Sequence, residues 1–309
     1  MRLFIFSQTN GNDKSAGKLN IFLIPYKHPL RKMLFELTWK FSELMEAYKD
    51  AEARALVERA PRSPEADGLQ GYLYYYGIGG KMESLDMAFV MFERGERHDD
   101  SLSLYMLGLM CDRVETPDQK EGGFRKKYDR CHAVGLMERC VKGEGMWAMG
   151  ARVWLGEYYM DEERGNDLEK GLLYFEIPAL SGNDDALKRL IEHYSGLAKE
   201  NDYADENVNR IWLKWQKTAY EFFPESESFN YGMLLTGVSG IEEDIPKALQ
   251  LFEDDYNYGY ARGALALERY YRQTADDTSL PDRERTRAAF TGAQWAERAK
   301  QLDAMKNGE

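Results

Sequence analysis

A helical pattern that recurs along the chain limits, more than any other feature, what this sequence can fold into. Residues 241–263 read I-E-E-D-I-P-K-A-L-Q-L-F-E-D-D-Y-N-Y-G-Y-A-R-G. Residues 155–186 contain the same elements, namely D-x-x-K-[AG], a hydrophobic residue paired with Phe, then Gly and a small residue. Such internal repeats are typical of solenoids, in which stacked copies bury each other's apolar faces. The repeat therefore specifies a scaffold well and a ligand poorly.

A glycine in the first helix of each copy sets the register of the repeat. Four copies have this glycine, at Gly71, Gly108, Gly156 and Gly232. In the other two copies the position is occupied by Ile191 and Glu268. The basic period is about three dozen residues, with insertions in the second and fourth copies. A glycine at this position lets two helix backbones approach closely.

The spacing within one copy is that of a helix pair. In the second helix of the fifth copy, apolar residues fall at i, i+3 and i+4 as Ala248, Leu251 and Phe252, which predicts a buried stripe. Asp167 and Asp244 precede helical patterns and are predicted N-caps. Gly259 follows a helix and suits the left-handed C′ position.

These motifs resemble the Sel1-like repeat family, a relative of tetratricopeptide repeats. The resemblance is carried by L-G-E-Y-Y at 155–159, Y-Y-Y-G-I-G at 74–79, D-I-P-K-A-L-Q-L-F at 244–252 and Y-G-Y-A at 258–261. It implies an all-α fold, a right-handed α-solenoid of about five to six stacked helix pairs. An irregular N-terminal extension and a C-terminal capping helix are expected at its two ends.

The predicted organisation has four segments. Residues 1–29 form an N-terminal extension, 30–64 capping helices, 65–275 the repeats, and 276–309 a C-terminal capping helix. Two apolar runs around Asn10-Gly11 fit a β-hairpin, but disorder, or a working start near Met33, is equally compatible with the pattern. The insertion from Val114 to Tyr128 is expected to be a mobile loop.

Charge and cysteine content narrow the class of partner and the compartment. The net charge is −12, and the excess of Asp and Glu lies after residue 50. An acidic repeat body argues against nucleic acid as a partner and favours a protein surface that is basic or mixed, although acidity could serve solubility alone.

The three cysteines do not recur with the repeat, which favours reduced thiols in the cytoplasm. The sequence contains no run of eighteen apolar residues, so it predicts no membrane insertion.

The sequence offers no recognisable catalytic constellation. None of the four histidines lies in H-E-x-x-H, and Cys131, His132 and Cys140 match no common zinc spacing. Gly77-Ile78-Gly79 lies between two helices and lacks the third glycine of a dinucleotide-binding loop. We therefore predict no enzyme activity, no metal and no cofactor.

The resemblance also implies a concave face lined by the first helices, where solenoids of this type bind protein or peptide partners. Carried over by register, the lining residues are Tyr72, Tyr75, Tyr105, Leu109, Asp112, Glu157, Met160, Glu192, Phe229 and Met233. This pattern predicts aromatic residues at the N-terminal end of the groove and carboxylates in its middle. Alternatively, Tyr72 and Tyr75 pack against the capping helices.

The favoured hypothesis is a non-enzymatic, bacterial-type interaction module that binds a protein or peptide in this groove. Two alternatives remain open from the sequence. The protein could be an immunity protein that neutralises a cognate bacterial toxin, or it could hold a small ligand or a weak catalytic site at an insertion.

Overall fold

Every regular element that the structure describes is helical. A computed structural model describes residues 29–113 and 130–307. Their α-helices, which confirm the predicted all-α class, are α1 (Pro29–Glu46), α2 (Asp50–Arg59), α3 (Pro64–Tyr76), α4 (Leu85–Glu96), α5 (Ser101–Arg113), α6 (Arg130–Cys140), α7 (Met146–Met160), α8 (Leu168–Leu180), α9 (Asp184–Glu200), α10 (Glu206–Phe222), α11 (Pro224–Leu234), α12 (Ile245–Asn257), α13 (Ala261–Asp276) and α14 (Asp282–Asn307). The predicted hairpin of residues 1–27 and the predicted loop Val114–Tyr128 lie outside the described residues.

The helices begin where the sequence supplies a cap. Asp167 and Asp244 accept hydrogen bonds from the backbone N–H groups of Lys170 (3.1 Å) and Lys247 (3.0 Å), so both predicted N-caps are confirmed. Gly259 follows α12 with φ of 90°, as its predicted left-handed position requires. The helix boundaries are therefore largely set by local chemistry.

Consecutive helices pack as pairs, which is the arrangement of an all-α solenoid. The first helices of the repeats are α3, α5, α7, α9, α11 and α13, and the second helices that follow them are α4, α6, α8, α10 and α12, with α14 packed on α13. The chain divides into two compact units, one ending at Leu155 and the other beginning at Gly156.

The repeated glycine lies where the two helices of a pair touch. A Cβ added to it would come within 2.6 to 2.8 Å of a side chain on the second helix, a distance that real Cβ atoms essentially never show. The pairs are Gly71 with Phe92, Gly108 with Met137, Gly156 with Phe175 and Gly232 with Phe252. All four partner side chains are buried. In these four pairs the large side chain occupies the space of a Cβ, so a larger residue in place of the glycine would force that side chain to shift.

We expect Gly232→Ala to destabilise the second unit by about 1–3 kcal/mol, since the new methyl group overlaps the Phe252 ring. Gly196→Ala is the matched control, because Gly196 is also helical and has no neighbouring atom within 4 Å of an added Cβ. This control should stabilise by roughly 0.5–1 kcal/mol through helix propensity. Urea unfolding followed by circular dichroism measures both, and equal effects of the two changes would contradict this packing role.

An aspartate carboxylate accepts a hydrogen bond from the N-terminal turn of two first helices, α13 and α5. Asp255, with a fully buried side chain, accepts from the Gly263 backbone N–H (3.0 Å) and pairs with Arg262 (2.9 Å). Asp100 accepts from the backbone N–H (2.9 Å) and hydroxyl (2.6 Å) of Ser103. Burial, reinforced by the nearby carboxylates of Glu65 and Asp67, raises the pKa of Asp100 to about 6.

The raised pKa of Asp100 predicts a pH dependence of stability. The pKa of this carboxyl is 3.8 in a model peptide and about 6 in the fold. The folded state therefore favours the protonated carboxyl. The stability that protonated Asp100 contributes is fully present below the unfolded pKa and is lost as the pH rises through about 6. The difference in unfolding free energy between the wild type and Asp100→Asn should therefore change by roughly 2–3 kcal/mol between pH 4 and pH 7. Denaturant titrations across this range measure it, and a pH-independent difference would contradict the assignment.

Candidate functional site

Aromatic side chains from three first helices gather in the unit that ends at Leu155. We call this cluster the aromatic patch; it comprises Tyr72, Tyr75 and Tyr76 of α3, Tyr105 of α5 and Trp147 of α7. Ring centroids are 4.6 Å apart for Tyr72 and Tyr76, 4.7 Å for Tyr75 and Tyr76, and 5.6 Å for Tyr105 and Trp147. These separations are typical of packed aromatic pairs. The structure thus brings together Tyr72, Tyr75 and Tyr105, which the sequence had assigned to one face.

The members of the aromatic patch differ in exposure. Tyr72 is only 2% exposed, and its ring meets Phe41 of α1 edge-on at 5.8 Å, so it packs against a capping helix as the sequence alternative stated. Tyr76 is 46% exposed, while Tyr75 and Tyr105 are half-buried. Burial raises the pKa of Tyr105. Tyr76 is therefore the most exposed ring of the patch, and Tyr72 is buried against it.

Two indole groups of α7 lie beside this face. The Trp154 Nε1–H donates to the Asp112 carboxylate at 3.3 Å. Asp112, which the sequence predicted as a lining residue, is therefore held by Trp154. The Trp147 Nε1 atom is buried and has no hydrogen-bond partner among the described residues. Leu109 is half-buried on α5. This indole donor is thus buried within the patch.

In the unit that begins at Gly156, the predicted carboxylates do not present bare negative charge. Arg189 of α9 donates two hydrogen bonds to Glu157, at 2.6 and 2.9 Å, and lies 3.8 Å from Glu192. This bidentate pair offsets much of the charge that the sequence had placed in the middle of the groove. The sequence predicted exposed negative charge here because the repeat register pointed to Glu157 and Glu192 but not to Arg189, which lies between them.

Met160 and Phe229 are held by packing within the same unit. Met160 is half-buried against α8, where a Cβ on Gly171 would lie 2.5 Å from its Cγ. Phe229 packs against Phe252, with ring centroids 5.7 Å apart. These two residues serve the packing of helix pairs and offer limited surface to a partner.

A cleft of about 690 Å³ opens between α9, α10 and α11. Met233, which the sequence placed on the binding face, is 41% exposed at its wall. The other walls are Ser195 and Lys199 of α9, Trp212 and Gln216 of α10, and the loop at 236–239. The Trp212 ring stacks on Tyr203 at 6.3 Å, and its Nε1 is buried without a partner among the described residues. The lining of this cleft is therefore a mixture of polar and apolar side chains.

Asn209 ties the two loops that border this cleft. Its fully buried side-chain amide donates to the carbonyls of Tyr203 (2.8 Å) and Ser239 (2.9 Å). Asn209→Asp replaces that shared donor with an acceptor. We expect a loss of about 2–4 kcal/mol in unfolding free energy, because both carbonyls then face a carboxylate. Asn207→Asp, at an exposed position in the first turn of α10, is the control for an Asn-to-Asp change, and an equal loss in both would rule out this bridging role.

Sequence reasoning missed Tyr76, Trp147, Arg189 and Trp212. It considered only fixed offsets from the repeated glycine, and these residues lie at other offsets. Tyr76 could have been noticed as the third residue of Y-Y-Y, whereas Trp212 lies on a second helix and joins the cleft only through tertiary packing.

Two further observations concern ligands and membranes. Across residues 29–113 and 130–307, no three His, Cys, Asp or Glu side chains gather as a metal site would require. No helix within those same ranges combines the length and the apolar character needed to cross a bilayer.

Comparison with known proteins identifies the class of fold. No family model and no curated protein matches the sequence. Among solved structures, a Sel1 repeat protein from Oxalobacter formigenes aligns over 85% of this chain and 96% of its own, with 18% identity and a TM-score of 0.47. A protective antigen present in uropathogenic Escherichia coli strains, which displays an SLR fold, aligns over 88% of this chain with 14% identity and a TM-score of 0.51. This chain spans 60% of the length of that antigen.

The architecture is thus that of a helical repeat solenoid. More specifically, its fold is that of Sel1-like repeat (SLR) proteins, as the sequence resemblance predicted.

Proposed function

We propose that the chain is a non-enzymatic protein-interaction module that binds a protein or peptide segment on the aromatic patch. The supporting observation is that Tyr76 is exposed and that Tyr75, Tyr105 and Trp147 are half-buried, while the buried Tyr72 packs against Tyr76 and Trp147. Rigid aromatic side chains give large contact area with little loss of side-chain entropy, and Tyr and Trp are enriched among residues that dominate binding energy. The fold adds a helical scaffold that presents such a face.

The charge of the chain supports a basic partner. Residues 156–260 hold 9 Lys and Arg against 23 Asp and Glu, a field that would speed association with a positively charged protein. A dedicated basic partner, such as a toxin neutralised by this protein, is therefore the second candidate. The buried Cys140 thiol, which donates to the Ser101 carbonyl at 3.2 Å, supports placing the module in the cytoplasm.

A paired variant tests the aromatic patch. We expect Tyr76→Ala combined with Tyr105→Ala to weaken partner binding at least about tenfold, since both changes remove contact area at the centre of the face. Tagged protein would capture partners from host lysate, and the affinity of the dominant partner would be measured by calorimetry. Tyr258→Ala is the control, because Tyr258 is 45% exposed but belongs to the other unit.

Helical circular dichroism must first show that all three proteins are folded. An unchanged affinity in the double variant would contradict binding at the aromatic patch. If the captured partner is toxic when expressed alone, rescue of growth by this protein would favour the immunity hypothesis over a general scaffold.

A further inference from the structure

The second helix α8 exposes an apolar stripe that the packing of the fold does not use. Leu173, Ile177 and Leu180 are 66%, 44% and 55% exposed. They follow one another at i, i+4 and i+7, so they lie on one face of the helix. We call these three residues the α8 ridge. The opposite face of α8 packs inward through Gly171, Phe175 and Ala179, all of which are buried.

The equivalent positions of α12 show that the fold does not require apolar residues there. The two helices share their register, because Asp167 and Asp244 cap them and Phe175 and Phe252 meet the repeated glycines. In that register the three ridge positions correspond to Gln250, Asp254 and Asn257. One chain thus carries a polar and an apolar version of the same surface. Exposing three large aliphatic side chains in α8 has no structural reason within the unit.

The apolar surface continues beyond the end of α8. Gly182 follows the helix with φ of 80°, and an added Cβ there would lie 2.6 Å from the Cδ1 atom of Phe222. Phe222 ends α10 and is 44% exposed. The α8 ridge and Phe222 therefore form one apolar strip along the second-helix side of this unit.

Charged residues give the α8 ridge an acidic edge. Glu169 and Glu176 are seven residues apart, about two helical turns, and so share one edge of the ridge. Neither carboxylate has an ion-pair partner among the described residues. On the opposite edge, the Lys170 ammonium is engaged by the Tyr159 hydroxyl at 2.7 Å. Lys170 keeps its positive charge, because its partner is a neutral hydroxyl. With two carboxylates against one ammonium, the summed charge of these three side chains is negative, and it is concentrated on the Glu169 and Glu176 edge.

We infer that the α8 ridge is a docking surface for an amphipathic helix of a partner protein, one with apolar residues at helical spacing and Lys or Arg along one edge. The partner's apolar stripe packs on Leu173, Ile177 and Leu180, and its basic edge faces Glu169 and Glu176. This site lies on a second helix of the unit that begins at Gly156, so it is independent of the aromatic patch.

The same charges argue against two other occupants. In an antiparallel two-fold pairing of α8 with a second copy, like edges meet, so the acidic edge would face the acidic edge of the other copy. A parallel pairing would set that edge against Lys170 instead. Each copy also carries a net charge of −12, which opposes self-association. An anionic lipid surface would be repelled by the acidic edge.

The test uses the full chain and a stapled helical probe peptide with leucines at i, i+4 and i+7 and lysines along one edge. Fluorescence anisotropy should give micromolar binding, as expected for a single helix on a small surface. The variant Leu173→Gln/Ile177→Asp/Leu180→Asn carries the residues of α12 and should keep its fold. We expect it to bind at least about tenfold more weakly, because the apolar contact is lost.

Charge reversal provides the matched measurement. Glu169→Lys combined with Glu176→Lys should weaken binding of the lysine probe and strengthen binding of the same peptide with glutamates. Equal binding of the two probes by the wild type, or undiminished binding by the α12-like variant, would overturn the proposal. A concentration-dependent dimer in analytical ultracentrifugation that is lost in the α12-like variant would instead assign the ridge to a second copy.

Discussion

The close approach of a glycine backbone to a large buried side chain is the contact on which the rest of the structure depends. In four helix pairs, the first helix presents a bare Cα where the second helix presents Phe or Met. Gly108 and Met137 make this contact although 29 positions separate them, whereas Gly156 and Phe175 are 19 apart. The contact thus fixes the pairing across connections of different length, because interiors are packed too densely to tolerate an added methyl group.

The junctions between pairs follow a similar logic with different chemistry. A carboxylate at the end of one pair accepts hydrogen bonds from the N-terminal turn of the next helix, which would otherwise hold unsatisfied N–H groups. Asp255 is compensated by Arg262, whereas Asp100 has Ser103 and two further acids nearby. Equivalent positions in a repeat protein can therefore carry different electrostatic costs.

Surface differences between copies, rather than the shared pattern, distinguish the two surfaces for which we propose binding. The aromatic patch and the α8 ridge both occupy positions where other copies place other residues without disturbing the packing. The patch draws on first helices and the ridge on a second helix, and their chemistries differ, since one presents rings and the other an aliphatic strip with an acidic edge. Stacked helices present such distinct surfaces because each copy needs only its inward-facing residues for stability.

The sequence by itself determined the helical class, the register of the pairs and their caps, because these depend on residues close in the chain: the periodic apolar stripes, Asp167, Asp244 and Gly259. It also indicated that Tyr72, Tyr75 and Tyr105 share a face. Only the tertiary structure decided which of them a partner can reach, since the burial of Tyr72 depends on Phe41 of α1. In the same way, Arg189 reaches Glu157 and Trp212 reaches the cleft through contacts between different helices. Exposure and charge pairing depend on neighbours brought together by packing, and a repeat register specifies position along a helix but not those neighbours.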